Sequence, residues 1–314
     1  MPEAGQQGGA QPPPPPTNRT GQPGPSAADY RRRRAIALTT VLLTLAALAA
    51  TIHACTRADR ADRHATHAPT TTTDQPTPPG TATTSSAATT PDTLIDATLA
   101  RMPLVAIGNS RGRRIALTFD DGPSRYTGQI MRILAREQAP ATFFWLGNAA
   151  RNYPNAAWAT LPYRDYTIGD HTQGHLRLTD RTRQQQASDI DDGATRLRWE
   201  TGATPRLFRP PYGAFNRDTL DLLARRHMLM VLWSVDSEDY SKPGTATIVR
   251  NVLAAARPGA IVLMHDGGGD RRQTIAALPT IIRRLRAKHY RLVTIPTLLK
   301  DPPPLRQPQY TLPQ

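Results

Sequence analysis

The chain has 314 residues and a single cysteine, Cys55, so no disulfide can form within it and a folded domain must be stable through its core. Its uneven composition favours one well-formed domain over two of similar size. The formal net charge is +14, but the arginines are scattered without interleaved aromatic residues or a nucleic-acid-binding motif, so we predict no nucleic-acid partner. An anionic cell wall, lipid head groups or a merely soluble basic surface each explain the charge, and binding through charge would require a concentrated basic patch.

The N-terminal segment predicts a disordered region followed by a membrane anchor. Residues 1–34 are rich in proline, glycine and glutamine and end in four consecutive arginines. The run at 35–55 is uncharged, largely apolar and about as long as a bilayer-spanning helix, and the preceding cations predict a cytoplasmic N-terminus. We therefore predict a single-pass protein of the cytoplasmic membrane with its folded domain outside. A cleaved signal peptide and a lipoprotein attached through Cys55 are the alternatives, although His53 fits a lipoprotein site poorly.

The rest of the chain divides into a linker, one domain and a tail. Residues 56–112 are dominated by threonine, alanine and proline and predict an extended extracytoplasmic tether. Between residues 113 and 299, short apolar runs alternate with stretches of helical periodicity, which indicates repeated β-α units. Residues 300–314 are rich in proline and predict a disordered tail.

The folded region contains alternating predicted strands and helices. The predicted strands cover 115–119, 141–146, 166–170, 207–209, 228–235, 260–265 and 291–295. The predicted helices cover 128–137, 181–201, 217–226, 245–256 and 271–288.

Several predicted strands end in a polar residue of catalytic type. These residues are Asp120, Asp170 with His171, Arg209, Asp236, and His265 with Asp266. If the strands are parallel, their carboxyl ends converge at one edge, and a nearly closed barrel brings them together more completely than an open sheet does. We therefore predict an α/β fold, a distorted (β/α) barrel of about seven parallel strands.

Two adjacent carboxylates, Asp120 and Asp121, stand in the run TFDDGP at 118–123. Successive residues of a strand point to opposite faces, so the two carboxylates could have different roles. The alternative interpretation is an Asp-Gly turn in a surface loop, because glycine and proline favour a turn here.

A second motif, HTQGH at 171–175, places His171 and His175 four residues apart. One helical turn would put both imidazoles on the same side. Together with one carboxylate they would form a three-ligand metal site with positions left for water and substrate.

Two further segments contain candidate catalytic side chains. Arg209 precedes two prolines in RPPYG at 209–213, which hold the backbone rigidly, and a bidentate arginine could orient a carboxylate. A structural proline-rich turn is the alternative. His265 ends an apolar strand and could serve as a general acid if a carboxylate such as Asp239 holds its tautomer, although a satisfied core histidine is the default interpretation of such a residue alone.

In this order, the segments TFDDGP, HTQGH, RPPYG, DSED and LMHD resemble the five motifs of the NodB-like polysaccharide deacetylases, carbohydrate esterase family 4. The resemblance covers residues 113–299. It implies a distorted (β/α) barrel and a divalent metal cofactor, with Zn²⁺ expected first and Co²⁺, Mn²⁺ or Ni²⁺ as alternatives. The implied activity is hydrolysis of acetyl groups from N-acetylated cell-wall polysaccharide, a carbon–nitrogen bond outside peptides, with peptidoglycan expected before chitin oligomers.

The resemblance also implies a role for each motif residue. The metal ligands would be Asp121, His171 and His175. The catalytic residues would be Asp120 as the base, Arg209 as the group that orients it, His265 as the acid and Asp239 as the partner of that acid. The residues that contact substrate would be Tyr212, through its backbone amide at the oxyanion, and Tyr240 and Leu263, which would line the pocket.

Two positions depart from the family pattern. Tyr240 stands where the family usually has tryptophan, which keeps an aromatic wall of different size. Asp170 stands where many members have asparagine, and its negative charge would raise metal affinity or alter sugar contacts. A catalytically silent carbohydrate-binding module and an O-acetyl xylan esterase are the alternative functions, but a silent module should lack a ligand or the base, and none is missing. We expect a monomer.

Overall fold

The computed structural model describes residues 90–154 and 165–307. The predicted membrane helix at 35–55, the segment before it, the linker up to residue 89 and the end of the tail lie outside these ranges. Within them, no helix is both long enough and apolar enough to cross a membrane.

Short strands in the described ranges form a single sheet in which all paired strands run parallel. They are β1 (Leu104–Val105), β2 (Arg114–Asp120), β3 (Ala141–Trp145), β4 (Tyr166–Asp170), β5 (Leu207–Phe208), β6 (Leu229–Val231), β7 (Val235–Asp236), β8 (Ile261–His265) and β9 (Arg291–Val293). Their order across the sheet is β1-β6-β5-β4-β3-β2-β8-β7, and β9 pairs with the start of β2.

Helices connect most of these strands. Their bounds are α1 (Pro91–Leu99), α2 (Thr127–Arg136), α3 (Gly147–Asn152), α4 (Arg183–Thr201), α5 (Arg217–Arg225), α6 (Thr245–Ala255), α7 (Arg272–Ala287) and α8 (Ile295–Leu298).

Local sequence explains the burial of β3 and both ends of α4. All residues of β3 are buried, as expected for a parallel strand that is covered on both faces. α4 begins with a capping box, in which the Thr182 hydroxyl accepts from the Gln185 amide and the Gln185 side chain accepts from the Thr182 amide. It ends at Gly202, whose φ of 76° is favourable for glycine.

The sheet curls because the chain crosses directly from β6 to β7. β6 pairs with β1 and β5 near one end of the sheet, whereas β7 forms the other end beside β8. The connecting Ser234 amide donates to the carbonyl of Ile261, over 3.0 Å. The predicted α/β class is confirmed, but the parallel strands form a curled half-barrel rather than a distorted barrel of about seven strands. The strand predicted at 228–235 is in fact two strands, β6 and β7.

Residues predicted to be linker and tail belong to the folded part. α1 and β1 lie before the predicted domain start at 113, and Ile95 of α1 is buried. In the predicted tail, the Gln307 side-chain oxygen accepts from the amides of Ala106 and Ile107, over 2.8 and 3.0 Å. The fold therefore begins at least as early as α1 and continues beyond residue 299.

The parallel arrangement places the carboxyl ends of the strands at one edge of the sheet. Asp120, Asp170, Asp236 and His265 are the last residues of β2, β4, β7 and β8. Arg209 directly follows β5. The predicted convergence of polar strand ends is confirmed.

We expect Ile95→Ala to destabilise the protein by about 2–4 kcal/mol, because a buried aliphatic side chain is lost and leaves a cavity. Ile95 belongs to a core cluster with Leu207, Leu229 and Ile295. Urea unfolding followed by circular dichroism measures the effect. Ala97→Ser, at an exposed position of the same helix, is the matched control. An unchanged unfolding midpoint for Ile95→Ala would mean that α1 does not contribute to the fold.

Candidate functional site

The end of β2 holds the two adjacent carboxylates in different environments. Asp120 is buried, with 3% of its surface exposed, and its carbonyl accepts from the amides of Asp266 and Gly267, over 3.0 and 3.2 Å. Asp121 follows with a φ of 69°, so the backbone leaves the extended conformation between the two residues. The two carboxylates are thus directed to different partners, as their position at a strand end predicted.

Asp121, His171 and His175 form a cluster whose ligand atoms all lie within 4.8 Å of one another. Asp121 Oδ1 is 3.1 Å from His175 Nε2 and 3.5 Å from His171 Nε2. His171 Nδ1 is 2.6 Å from the carbonyl of Arg209 and donates to it, which leaves the Nε2 lone pair on the side of Asp121. The predicted trio is therefore brought together.

The cluster suits a divalent cation. Asp121 Oδ1 is buried and accepts no hydrogen bond of normal geometry from the described residues. Burial opposes ionisation, but the imidazoles of His171 and His175 outweigh it and hold the pKa of Asp121 well below its ordinary value. An anionic oxygen that faces two imidazole nitrogens is a donor set that zinc and similar metals prefer.

A loop, not a helix, brings the two histidines together. Residues 171–175 are not helical, and Thr172 and His175 have φ values of 73° and 59°. The Thr172 hydroxyl accepts from the His175 amide over 3.1 Å, and the imidazole centroids are 5.2 Å apart. The two histidines lie close together as predicted, but the helical geometry predicted from their i, i+4 spacing is wrong.

Arg209 is fully buried and forms an ion pair with Asp120, the predicted base. Its Nη1 donates to Asp120 Oδ1 over 2.7 Å and to the Thr118 hydroxyl over 2.8 Å. Its Nε and Nη2 donate to the carbonyls of Val231 and Leu232, over 2.9 and 3.1 Å. Arg209 thus binds the Asp120 carboxylate through Nη1, while its Nε and Nη2 donate to backbone carbonyls.

His265 and Asp239 form the second buried pair. Asp239 Oδ1 is 2.7 Å from His265 Nδ1, and its Oδ2 accepts from the His265 amide over 2.9 Å and from the Thr274 hydroxyl over 2.7 Å. Burial alone would lower the pKa of His265, but the Asp239 carboxylate raises it above its ordinary value. Burial likewise opposes ionisation of Asp239, whose pKa is nevertheless lowered by His265. The Asp239 carboxylate therefore stabilises the charged form of the His265 imidazole and occupies Nδ1, which leaves Nε2 for the pocket.

Both pairs and the metal-ligand cluster open into one pocket of about 350 Å³. It is lined by Asp120, Asp121, His171, His175, Pro210, Tyr212, Trp233, Asp236, Tyr240, Leu263 and His265.

The predicted substrate-contacting residues lie around this pocket. Tyr212 is exposed, has a φ of 61°, and its ring centroid is 4.7 Å from that of His175. The Tyr240 ring lies 5.5 Å from the His265 ring, whereas Leu263 is buried. Trp233 also lines the pocket but has no role in the sequence-based prediction, because it lies between β6 and β7, which were predicted as one strand.

Asp170, the second departure from the family pattern, does not line the pocket. It is fully buried, and its Oδ1 accepts from the Thr172 amide over 2.9 Å. Burial raises its pKa well above the ordinary value. The Asp170 carboxyl therefore lies beneath the histidine loop and contacts its backbone, rather than the pocket in which contact with the sugar was expected.

Asp266 is a buried residue that sequence reasoning left without a role. It accepts from the Thr127 hydroxyl and from Trp145 Nε1, and its second oxygen accepts no hydrogen bond from the described residues. A Cβ atom on Gly122 would lie 2.1 Å from this carboxylate, so only glycine fits in the loop that follows Asp121. Burial raises the pKa of Asp266 to about 7.

We expect Asp266→Asn to gain stability relative to the wild type as the pH rises from 5 to 8. The unfolded chain releases the Asp266 proton near pH 4, whereas the folded protein holds it up to about pH 7, so the wild type loses stability across this interval. The asparagine has no proton to release. The difference in unfolding free energy should change by about 2 kcal/mol in favour of the variant, as measured by urea unfolding at both pH values. A difference that does not depend on pH would contradict this assignment.

Comparisons with known proteins agree with these motifs. A family model described as polysaccharide deacetylase matches residues 107–231. A peptidoglycan-N-acetylglucosamine deacetylase of Bacillus cereus is 39% identical over 190 residues, which cover 59% of this chain and 88% of that protein. A chitooligosaccharide deacetylase of Rhizobium leguminosarum bv. trifolii is 37% identical over 202 residues, 60% of this chain and 92% of that protein.

A solved structure has the same fold. The crystal structure of the Bc1960 peptidoglycan N-acetylglucosamine deacetylase, in complex with a naphthalenyl N-oxidanyl-benzamide, superposes with a TM-score of 0.61 at 31% identity. The match covers 65% of this chain and 95% of that one. On these matches, the chain belongs to the polysaccharide deacetylase family, carbohydrate esterase family 4.

Proposed function

We propose that this chain is a metal-dependent hydrolase that removes acetyl groups from N-acetylated cell-wall polysaccharide. One observation carries the proposal. Asp120 and His265 are register partners on β2 and β8, each is held by a buried charged partner, and both open into the pocket that contains the metal-ligand cluster. An acid and a base on either side of a cation site are the groups that amide hydrolysis requires.

Asp121, His171 and His175 would hold the cation, which we propose is Zn²⁺, with Co²⁺, Mn²⁺ or Ni²⁺ as alternatives. When bound, such a cation polarises a carbonyl oxygen and acidifies water.

Asp120 is the proposed base. Its Oδ1 is engaged by Arg209, so Oδ2, which lies 3.9 Å from His171 Nε2, is the oxygen that would take a proton from the attacking water. As the water oxygen bonds to the carbonyl carbon, that proton moves to Asp120 and the carbonyl oxygen gains negative charge. The guanidinium of Arg209 keeps the carboxylate in place during this transfer.

His265 is the proposed acid. Its Nδ1 is committed to Asp239, so Nε2 would donate its proton to the amide nitrogen as the carbon–nitrogen bond breaks. The amine then leaves neutral, and acetate is the other product. Protonation is required because an amine does not leave as an anion.

Three further residues would position the substrate. The Tyr212 amide would donate to the carbonyl oxygen as negative charge develops on it. Tyr240 and Leu263 line the pocket and would contact the sugar ring and the acetyl methyl group.

The names of two relatives support a glycan that contains N-acetylglucosamine, because one is a peptidoglycan and the other a chitooligosaccharide deacetylase. We place peptidoglycan first, since the predicted membrane segment and tether would keep the domain on the outer face of the cytoplasmic membrane, near the wall. A lipid attached to Cys55 would lead to the same location.

We expect Asp120→Asn to lower acetate release from peptidoglycan or N-acetylglucosamine oligomers by about 10²–10⁴-fold, because the general base is lost. Zinc binding, measured by calorimetry, should be retained, since the three proposed ligands are intact. Asp236→Asn, at another carboxylate of the same pocket, is the matched control and should lose much less activity.

A chelator should abolish acetate release by the wild type. Chelator-insensitive release, or full activity of Asp120→Asn, would contradict the mechanism. Absence of release from every N-acetylated glycan would instead favour a silent carbohydrate-binding module.

We expect Asp239→Asn to move the alkaline limb of the pH profile of kcat/KM to lower pH. His265 must be protonated to act as an acid, so activity is lost as the pH rises through its pKa. The Asp239 carboxylate raises that pKa, and its neutral substitute should shift the limb by about one pH unit. Thr274→Val, which removes a hydrogen bond to Asp239 but keeps the charge, should shift the limb less. An unmoved limb for Asp239→Asn would exclude His265 as the acid.

A further inference from the structure

Basic residues that are far apart in the sequence assemble at the amino edge of the sheet, opposite the pocket. We call this surface the basic face and define it by Arg113, Arg257, Arg286, Lys288 and Arg291. Arg113 directly precedes β2 and Arg291 begins β9, and the two strands pair through Arg114 and Arg291. Arg257, Arg286 and Lys288 lie at the ends of α6 and α7, where the chain turns back toward the sheet.

Direct contacts show that these residues form one surface. Arg113 donates to the carbonyl of Lys288 over 2.8 Å, and its guanidinium lies 4.7 Å from the centre of the Tyr290 ring. Lys288 donates in turn to the carbonyl of Leu253 over 3.2 Å. The Tyr290 hydroxyl donates to the carbonyl of Ala256, the residue before Arg257, over 3.3 Å. These basic residues are scattered in the sequence, but the fold concentrates them on one surface.

The positive charge of the basic face is not neutralised within the described residues. None of its five members forms an ion pair there. Two nearby carboxylates are engaged elsewhere, since Glu137 pairs with Arg136 and Arg283, and Asp301 pairs with Arg114. Four of the five side chains are exposed and Arg257 is half-buried.

The attraction of cations to helix carboxyl ends does not account for all the basic residues of this surface. The carboxyl ends of α6 and α7 lie at this edge and favour nearby cations. However, Arg291 begins β9, and Arg113 belongs to a three-residue 3-10 turn (Arg111–Arg113) directly before β2 rather than to an α-helix. Each backbone contact of Arg113, Arg286 and Lys288 uses a single donor nitrogen, which leaves the other N–H groups for an external anion.

The polypeptide also enters the folded part at this edge. Pro91, at the start of α1, borders a surface cavity together with Tyr166 and Leu207, the first residues of β4 and β5. Since all strands run parallel, these residues lie at the same edge of the sheet as Arg113 and Arg291. The apolar segment at 35–55 precedes this entry point in the sequence.

We propose that the basic face docks on an anionic phospholipid surface, which directs the pocket away from the membrane and toward the wall. Charge complementarity supplies the attraction, and lipid phosphates are the anions that arginine and lysine would contact. The position of chain entry favours a membrane over a nucleic acid or another soluble polyanion. This inference does not depend on the reaction proposed above.

The test uses the distribution of lysines, because Lys242, Lys288 and Lys300 are the only three in the sequence. Lys288 belongs to the basic face, whereas the exposed Lys242 follows β7 at the pocket edge and serves as an internal control. The full chain is treated with an amine-reactive reagent in the presence of phosphatidylcholine vesicles, with or without phosphatidylglycerol, and modification is quantified by peptide mass spectrometry. Phosphatidylglycerol should slow modification of Lys288 by about tenfold and leave Lys242 unchanged, and high salt should remove the effect.

Two triple variants distinguish binding through the basic face from attraction by the net positive charge of the whole chain. Arg113→Gln, Arg286→Gln and Arg291→Gln together should abolish the protection of Lys288. Arg125→Gln, Arg181→Gln and Arg217→Gln remove the same charge from exposed positions at the pocket edge and should retain it. Thermal unfolding verifies that both triple variants are folded.

Three outcomes would overturn the proposal. One is equal modification of Lys288 with both kinds of vesicle, which would leave no role for lipid charge. Another is equal loss of protection in the two triple variants. The third is protection by soluble heparin that matches that of the vesicles, which would identify a polyanion site rather than a lipid surface.

Discussion

The buried guanidinium of Arg209 is the interaction on which the site depends. It binds Asp120 and the carbonyls of Val231 and Leu232, while its own carbonyl accepts from His171. A buried arginine without these partners would be strongly unfavourable, so the curled sheet must bring them together as it folds. The proposed base and one proposed metal ligand are therefore positioned by the same residue, and a shift of β5 would disturb both.

The two catalytic candidates have buried partners of opposite charge. The Arg209 cation stands beside Asp120, whereas the Asp239 anion stands beside His265 and raises its pKa. Asp120 and His265 are register partners on β2 and β8, so both face the same pocket. Each side chain is hydrogen-bonded to its own buried partner, so the base and the acid can act without exchanging a proton through a shared hydrogen bond. Asp266, buried behind the loop that carries Asp121, adds a carboxyl that is neutral below about pH 7 and contributes no fixed charge there.

A parallel sheet has two chemically different edges, and this chain uses both. Strand carboxyl ends carry the carboxylates and histidines of the pocket, and strand amino ends carry the basic face. Each group of residues comes from segments far apart in the sequence, since every β-α unit contributes one loop to each edge. The high net charge thus has a spatial order that composition does not reveal.

The sequence by itself determined most of the side chains that meet at the candidate site, because the five short motifs hold its carboxylates, histidines and arginine. It also determined most strands and the ends of α4, since burial patterns and helix caps depend on residues that are close in the chain. It placed β1 and α1 in a linker because a two-residue strand and a short helix have almost no periodic signal, and their stability comes from contacts with β6 and α8. Only the tertiary structure decided the looped geometry of His171 and His175, the partners of Arg209 and the gathering of cations at one edge. These features depend on which distant segments pack together, and that information is distributed over the whole chain.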